Sequence, residues 1–506
     1  MTCVLAIDQG TSGTTCLVIG KNGRILGRAY REITQHYPAP GWVEHDAHEI
    51  LDRTVAAARE AIADAGVDPI AIGITNQRET IVVWERATGR AVHRAIVWQD
   101  RRTADRCLEL APQAAMIAEK TGLVTDPYFS ATKLEWLLQQ PGMRQRAARG
   151  ELAAGTIDSW LVWHLTGGAS HVTDHTNASR TMLYDLGTHA WSPELCALFD
   201  VPADILPRIV PSSGFIGMAI SSVLGHEIPI MGIAGDQQAA LFGQGGWHSG
   251  SGKNTYGTGA FLLLNTGTVR PHSATGLLTT IACGERGAPV YALEASIFIA
   301  GAAVQWLRDG LGIIATSSET EGLARSLPSN EGVYFVPALV GLGAPDWEPN
   351  ARGTIVGLTR GTTRAHFARA ALEAMAYATH DVLGDMRTQG GVPFDRLRVD
   401  GGATANDWLM QFQADVLGVP VERPDIVETT ALGAAGLAGL AAGLWANGDE
   451  FLAGRHFTRF TPTGDATASA GYAGWRRAVR GALSWARDTE ARDTEGRDTD
   501  RAPGHP

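Results

Sequence analysis

One short pattern recurs near the midpoint of the 506-residue chain and limits how the chain can fold. An apolar run, residues 4–7, leads through Asp8 into the turn Gly10-Thr11, and the Gly-Thr pair returns as Gly257-Thr258 before a second apolar run. The two turns are 247 residues apart, about half the chain. We therefore expect an internal duplication with one hairpin in each half, and such Gly/Thr turns direct backbone N–H groups at anions such as phosphate.

Strand-like and helix-like runs alternate along both halves, which indicates an α/β fold. Residues 4–7 and 15–19 read as strands, and Asn22-Gly23 after them is a strong hairpin signal. A helix is expected over residues 47–65, with strands again at 69–74, 81–84 and 95–98. At this length, two large domains are expected.

Composition excludes several classes of protein. Lys and Arg total 42 against 53 Asp and Glu, so the net charge of −11 disfavours nucleic acid as a partner. The longest small and apolar run, residues 431–445, is shorter than a membrane span and predicts a tightly packed interior helix instead. The 5 cysteines form no CxxC pair, so neither a disulfide framework nor a zinc site is indicated, and a cytoplasmic location is expected.

Two polar segments that follow apolar runs could hold a hydroxyl substrate. Arg78 and Glu79 lie in residues 75–80, where a guanidinium beside a carboxylate can bind vicinal hydroxyls, although a solvated turn is equally consistent. Asp236 ends the run 228–234 and could accept a proton from a hydroxyl. A helix N-cap is the alternative for Asp236, because an apolar helical run follows it.

Two Gly-rich turns could approach a nucleotide. Asp8 precedes the hydroxyl-rich loop 10–15 and could hold a hydrated Mg²⁺, while the turn at residues 400–406 allows close backbone approach. A plain polar loop is the alternative for the first turn, and a strand-to-helix turn capped by Asn406 or Asp407 is the alternative for the second. Residues 251–254 do not form a P-loop, because Trp247 stands where a glycine is required. Asp46 with Glu49 is interpreted as a helix cap, not a metal site.

The C-terminal segment differs from the rest of the chain. Residues 487–501 repeat an RDTE-like unit every five residues, with charges of both signs and hardly an apolar side chain. Such a segment cannot bury enough surface to fold, so residues 487–506 are predicted to form a disordered charged tail. A helix stabilised by local pairs of Arg and Glu is the alternative.

Taken in order, these segments resemble the FGGY carbohydrate kinases. The resemblance covers residues 4 to 445 and rests on motifs at 8–11, 40–46, 74–79, 95–99, 235–244, 254–259 and 399–402. It implies an α/β fold of two duplicated actin-like ATPase (ribonuclease H-like) domains with a central interdomain cleft. The expected boundaries are 1–244 for the N-terminal domain and 245–486 for the C-terminal domain.

The resemblance also implies an activity, namely ATP-dependent phosphorylation of glycerol to sn-glycerol 3-phosphate with ATP and Mg²⁺ bound. By similarity, Asp236 is the general base and shares the metal site with Asp8. The residues that would bind glycerol are Arg78, Glu79, Trp98, Tyr128, Asp236, Gln237 and Phe261. Those that would bind the nucleotide are Thr11, Ser12, Gly13, Thr258, Gly301, Gln305, Gly402 and Asn406.

Two departures from the family pattern affect the expectations. Thr15 stands where familiar bacterial members carry an arginine near the phosphates, so nucleotide affinity is expected to differ. Glu227 replaces an arginine with which some members bind fructose 1,6-bisphosphate, so no inhibition by that anion is expected. By resemblance alone, a homo-oligomer of two or four chains without membrane insertion is expected. A kinase for another polyol or ketose, and a nucleotide-dependent switch on the same scaffold, are the alternatives.

Overall fold

The structure is a computed structural model that describes residues 2–271, 276–464 and 466–499. The strands of the first half are β1 (Cys3–Gln9), β2 (Gly13–Gly20), β3 (Ile25–Glu32), β4 (Glu44–His45), β5 (Ile72–Asn76), β6 (Ile81–Glu85), β7 (Ala95–Ile96), β8 (Leu152–Thr156), β9 (Val172–Asp174), β10 (Tyr184–Asp185), β11 (Ala190–Trp191), β12 (Arg208–Val210), β13 (Ser213–Ala219) and β14 (Ile228–Gly235). Its helices are α1 (Ala47–Ala65), α2 (Ala104–Glu109), α3 (Ala114–Thr121), α4 (Ser130–Leu138), α5 (Met143–Ala148), α6 (Ile157–Leu165), α7 (His175–Ala178), α8 (Pro193–Leu198), α9 (Ser221–Leu224) and α10 (Asp236–Gly243).

The second half has fewer strands and longer helices. Its strands are β15 (Gly252–Tyr256), β16 (Ala260–Gly267), β17 (Leu278–Cys283), β18 (Pro289–Ile297), β19 (Tyr334–Val336), β20 (Thr354–Val356), β21 (Leu397–Asp400), β22 (Val421–Pro424) and β23 (Phe457–Phe460). Its helices are α11 (Gly301–Gln305), α12 (Glu319–Arg325), α13 (Arg364–Gly390), α14 (Asp407–Leu417), α15 (Thr429–Ala441), α16 (Gly448–Leu452) and α17 (Ala466–Thr499).

Each half is built on one large sheet, and the two sheets have corresponding strand orders. The first sheet runs β3-β2-β1-β5-β14-β13, and the second runs β18-β16-β15-β21-β22-β23 with β17 added beyond β18. Pairing directions match position by position: antiparallel at both ends and parallel through β1-β5-β14 and β15-β21-β22. The duplication expected from the recurring Gly-Thr turn is therefore present in the sheet topology.

The recurring turn joins equivalent strands in the two sheets. In the first sheet Gln9 pairs with Thr14 across the loop that holds Gly10 and Thr11, and the Gly10 N–H donates to the carbonyl of Gly13 at 2.8 Å. In the second sheet the Gly257 N–H donates to the carbonyl of Gly259, also at 2.8 Å. Both hairpins therefore close with a hydrogen bond from the N–H of their first glycine, which spans three residues in the first sheet and two in the second, and each carries its Thr within the loop.

Several local predictions are confirmed. Helix α1 covers the expected residues 47–65, and the Asp46 carboxylate caps it by accepting from the amides of His48 and Glu49. The second hydrogen bond of a capping box, from the Asp46 amide to the Glu49 side chain, is not formed. The Glu49 carboxylate instead accepts from the amide and the hydroxyl of Thr34. Lys253 lies within strand β15, as the rejection of a P-loop requires.

Helix α15 is the interior helix expected at residues 431–445, but it packs outside its own half. It belongs to the C-terminal half by sequence, yet it lies against α10 and against strands β1, β5 and β14 of the first sheet. Its alanines and glycines are buried from Ala431 to Gly439. The predicted boundary at residues 244/245 falls between α10 and β15 and stays a prediction, since α15 returns to the first sheet.

The end of the chain differs from the sequence expectation. Helix α17 continues through Thr499, whereas a disordered tail was expected from residue 487. The five-residue period puts arginines and acids within one helical turn of each other, which is the pairing that the alternative helical interpretation requires. The remainder of the predicted tail, residues 500–506, lies outside the described residues. Within the described ranges, even the long helices α13 and α17 are too polar to cross a bilayer.

Candidate active site

The site begins where two parallel strands of the first sheet end side by side. Strands β5 and β14 finish together, with Asn76 opposite Gly235, and side chains that follow such strand ends meet at one edge of the sheet. Arg78 comes just after β5, and Asp236 is the first residue of α10 directly after β14. The Arg78 Nε lies 3.2 Å from Asp236 Oδ1, so the two candidate residues from distant parts of the chain are in contact.

Asp236 is not the helix cap that the alternative interpretation required. Gly235 occupies the N-cap position, and the Asp236 carboxylate accepts from the amide of Gln237 at 2.7 Å. Burial raises the pKa of Asp236, while the Arg78 guanidinium and the Gln237 amide oppose that rise. A carboxylate with a raised pKa is a better base toward a hydroxyl group.

The Arg78-Glu79 segment is buried and is not a solvated turn. Arg78 is 3% exposed and Glu79 is 1% exposed. Glu79 has a left-handed backbone with φ 60°, which costs a non-glycine residue roughly 1–3 kcal/mol and persists only where contacts with the surroundings offset that cost. The Ser130 hydroxyl donates to the Glu79 carbonyl at 2.7 Å and stabilises that conformation.

An aromatic wall links this pocket to the first hairpin. The rings of Trp98 and Tyr128 meet edge to face with centroids 5.5 Å apart. The Trp98 Nε1–H donates to the Thr11 hydroxyl at 2.9 Å, so the expected polyol wall and the expected phosphate loop are in direct contact. Burial raises the pKa of Tyr128 well above its ordinary value, so its hydroxyl remains a hydrogen-bond donor.

Two further predicted residues depend on the second sheet. The buried Lys253 on β15 donates from Nζ to Gln237 Oε1 and, at 2.8 Å, to the Thr255 hydroxyl. Burial lowers the pKa of Lys253 to about 8, against the pull of Asp400, Asp236 and Glu294. Phe261 is half-buried on β16, and among the described residues no ring contact joins it to Trp98 or Tyr128.

Asp8 has the surroundings of a candidate cation ligand. It lies near the end of β1, opposite Thr15 on β2 and Thr75 on β5. Burial and the neighbouring Asp236 carboxylate raise the pKa of Asp8 to about 7. Two carboxylates that repel each other fit a hard divalent cation, which prefers oxygen ligands. No cluster of three ligating side chains occurs in the described part of the chain, so water or phosphate oxygens would have to complete the coordination shell.

A cavity of about 550 Å³ in the second half collects most of the predicted nucleotide residues. Its lining includes Thr258, Gly301, Gln305, Gly402 and Asn406. A Cβ at residue 401, which has φ 89°, would lie 2.2 Å from the Tyr256 carbonyl, so only glycine fits that turn. Asn406 also caps α14 by accepting from the Leu409 amide, as the alternative interpretation held.

The remaining nucleotide candidates lie elsewhere. Thr11, Ser12 and Gly13 form the first hairpin in the other half, outside the lining of this cavity. The hairpin is connected to the acceptor pocket through Trp98, as described above. The arrangement thus has a cavity in the second half, a polar cluster with a candidate base in the first half, and one Gly/Thr loop contributed by each half.

The sequence interpretation missed three buried charged residues at the pocket. Arg180 follows α7, Glu294 lies within β18, and Lys253 lies within β15. Glu294 follows the apolar run 290–293 and Lys253 follows Gly252, but both lie inside strands rather than in turns, and Arg180 follows no apolar run. A charged residue inside a strand is a usable signal, since Lys and Glu are rarely fully buried unless paired, but burial itself is not visible in the sequence.

Comparison with known proteins assigns both halves to one family description. Residues 3–243 match the N-terminal domain of the FGGY family of carbohydrate kinases. Residues 252–442 match the C-terminal domain of the same family.

Individual proteins and structures agree with that match. A glycerol kinase of Dechloromonas aromatica is 57% identical over 96% of this chain and 98% of its own length. A glycerol kinase of Symbiobacterium thermophilum is 54% identical over 96% of this chain and 99% of its own length. The crystal structure of Plasmodium falciparum glycerol kinase with ADP has a TM-score of 0.91 at 36% identity, covering 96% and 98% of the two chains. The expected fold class, two duplicated actin-like α/β domains, is confirmed.

Proposed function

The chain belongs to the FGGY family of carbohydrate kinases, and on that premise we propose that it transfers the terminal phosphoryl group of ATP to glycerol, forming sn-glycerol 3-phosphate and ADP. The observation that carries the proposal is the hydrogen bond from Trp98 to Thr11. It joins the pocket that holds the candidate base to the loop that would receive the phosphates. Relatives above 50% identity that carry the name glycerol kinase support the choice of acceptor.

The acceptor pocket has the chemistry that a small triol requires. Arg78, Glu79 and Gln237 supply charged and amide groups for hydroxyls, while Trp98 and Tyr128 supply an apolar wall for the CH faces. Phe261, on the second sheet, would complete that wall when glycerol is bound. The proposal therefore assigns positioning of the hydroxyls to the buried Arg78 and Glu79 together with half-buried side chains that surround them.

Proton removal is assigned to Asp236. Its carboxylate accepts the proton of the attacking hydroxyl as the bond to phosphorus forms, and its raised pKa strengthens it as a base. Thr11 and Thr258, at the tips of the two hairpins, would donate to the terminal phosphate oxygens. The cavity lined by Gly301, Gln305, Gly402 and Asn406 would take the remainder of the nucleotide.

Mg²⁺ fits the pair Asp8 and Asp236, and when bound it neutralises charge on the phosphate oxygens. The pKa of Asp8 is raised partly by repulsion from the Asp236 carboxylate, and a bound cation would relieve that repulsion. A cytoplasmic location and an assembly of two or four chains stay predictions. The 5 cysteines are all buried and unpaired, which agrees with a reducing compartment.

The proposal is tested by ADP release from the purified chain with Mg-ATP. Glycerol, dihydroxyacetone, xylulose, gluconate and no acceptor are compared at equal concentrations. Large and selective stimulation by glycerol is the expected result. Turnover with another acceptor would discard glycerol as the substrate, and acceptor-independent turnover would favour the nucleotide-dependent switch.

Asp236→Asn tests the assigned base. The variant keeps the side-chain shape but cannot take the proton, so kcat should fall by about 10²- to 10⁴-fold while calorimetric glycerol affinity changes little. Asp105→Asn is the matched control, because Asp105 is also an acid in the first turn of a helix but is exposed. Near-normal turnover of Asp236→Asn would remove Asp236 from its role.

A further inference from the structure

A chain of charges, buried except at Asp236, runs behind the acceptor site, and two of its members have no role in the mechanism above. It alternates in sign through Glu79, Arg180, Glu294, Arg78 and Asp236. Successive oppositely charged atoms lie 2.6, 3.3, 2.6 and 3.2 Å apart. The side chains of Arg180 and Glu294 are both 0% exposed.

Glu294 holds the Arg78 guanidinium in one orientation. Its two oxygens accept from Arg78 Nη1 at 2.6 Å and Nη2 at 2.9 Å, a bidentate pair that fixes the plane of the guanidinium. Gln238 accepts from Nη1 at 3.3 Å. These bonds engage three of the five N–H donors of Arg78, so the Nε–H that faces Asp236 and one Nη2–H remain for the pocket.

Arg180 has the corresponding role for Glu79. Its Nε–H donates to Glu79 Oε1 at 2.6 Å, and its guanidinium lies over the Tyr128 ring at 5.4 Å. Glu79 is the residue with the left-handed backbone, so a fixed carboxylate helps to hold that strained conformation. The segment that carries Arg180 is itself tied to strand β5, because Asn177 and Asn76 exchange two amide hydrogen bonds of 3.0 and 3.1 Å.

The chain of charges also crosses between the halves of the molecule. Glu294 lies on β18 of the second sheet, whereas Arg78, Glu79, Arg180 and Asp236 belong to the first half. The two guanidiniums lower the pKa of Glu294 to about 2 in spite of its burial, so it remains ionised. The orientation of Arg78 therefore depends on where the second sheet lies.

We propose that Arg180 and Glu294 are positioning residues of the acceptor site, which hold Glu79 and Arg78 in the geometry that binds the polyol and make that geometry depend on contact between the two halves. Burying this many charges is costly, and an apolar core of the same volume is often as stable or more so. A role in stability alone thus gives little reason for the network to lie directly behind the pocket. The inference rests on the proposed function.

Glu294→Gln and Arg180→Lys are the test variants, each close to the original in size. Steady-state kinetics with glycerol and with Mg-ATP are combined with calorimetric titration of glycerol in the absence of nucleotide. We expect KM and Kd for glycerol to rise by about tenfold to a hundredfold, since each variant weakens a charge-assisted hydrogen bond that orients a ligand-binding group. The KM for Mg-ATP should stay within about threefold. Arg180→Met, which removes the charge, should raise KM and Kd for glycerol more than Arg180→Lys does.

Glu373→Gln is the matched control for loss of a buried Arg–Glu pair. Glu373 is 3% exposed and accepts from Arg369 Nε at 2.7 Å, but it lines neither the acceptor pocket nor the nucleotide cavity. The Glu373→Gln variant should lower Tm but leave the KM for glycerol and the KM for Mg-ATP close to the wild-type values. The inference is overturned if Glu294→Gln and Arg180→Lys behave like this control, or if their glycerol constants stay near those of the wild type. Failure of the wild type to use glycerol would instead overturn the proposed function.

Discussion

Burial raises the pKa of two aspartates to the same value, although their neighbours differ. Asp8 and Asp158 both have a pKa raised to about 7, with burial as the first cause. Asp8 has the Asp236 carboxylate as its next influence, whereas Asp158 accepts from the hydroxyls of Thr156 at 2.5 Å and Thr173 at 2.6 Å. Asp158 thus joins α6 to β9 and has a structural role, while Asp8 is close enough to the candidate base to be influenced by its charge.

Asp158→Asn should change how stability depends on pH. In the wild type the unfolded chain releases this proton near pH 4 and the folded chain near pH 7, so the free energy of unfolding falls as pH rises between these values. The loss is at most about 4 kcal/mol, from three pKa units at about 1.4 kcal/mol each. The asparagine cannot titrate, so Tm of the variant relative to the wild type should rise from pH 5 to pH 8. Parallel Tm curves for the two proteins would contradict the assignment.

The small residues of helix α15 allow it to pack unusually close to its neighbours, and this close contact sets its position. Gly433 faces the backbone of α10, where a Cβ would lie only 1.8 Å from the Ala239 carbonyl oxygen. Gly73 on β5 makes a similar approach to Ala434, where a Cβ would lie 2.0 Å from the carbonyl. Because α10 begins with Asp236 and Gln237, the position of α15 sets the position of the candidate base.

Gly433→Ala should therefore destabilise the protein and slow phosphoryl transfer. Alanine is the better helix former by about 1 kcal/mol, but displacing α10 should cost about 1–3 kcal/mol or more and should lower Tm by several degrees. Gly384→Ala is the matched control, because Gly384 lies in α13 with open space around its Cβ position. The control should keep or raise Tm. Equal behaviour of the two variants would mean that the α10–α15 contact does not limit packing.

At the scale of the whole molecule, two lysines bridge the halves in very different surroundings. Lys253 on β15 is fully buried and donates to Gln237 on α10. Lys21, after β2, pairs with Glu450 on α16 at 2.9 Å, and its side chain is 59% exposed. An exposed pair contributes about 0–1 kcal/mol, whereas removing a buried ammonium leaves its partners unsatisfied.

Lys253→Met should raise KM for glycerol by about tenfold, because Gln237 loses the donor that orients its amide. Lys21→Met is the control and should leave both KM values unchanged and stability within about 1 kcal/mol. Steady-state kinetics at pH 7, where Lys253 with its pKa of about 8 is mostly protonated, provides the measurement. Unchanged glycerol kinetics in Lys253→Met would show that the contact between β15 and α10 does not position Gln237.

Much of the fold could be predicted from short stretches of sequence. The 47–65 helix, the hairpin at Asn22-Gly23 and the interior helix near residues 431–445 are each encoded by neighbouring residues, through caps, turn residues and apolar periodicity. The recurring Gly-Thr turn predicted the duplication because equivalent hairpins need the same turn chemistry. The conformation of the tail from residue 487 could not be decided from the sequence, since its charge pattern fits both a solvated coil and a helix.

The candidate site could be predicted only in part. Arg78, Glu79 and Asp236 stand in polar segments after apolar runs, so the sequence by itself determined which chemistry the strand ends could offer, and the resemblance assigned their roles. Tertiary structure decided which of these groups meet, and it added Arg180, Glu294 and Lys253. The physical reason is that strand ends and turns depend on local backbone preferences, whereas pairing of buried charges depends on the low dielectric created when residues far apart in sequence exclude water together.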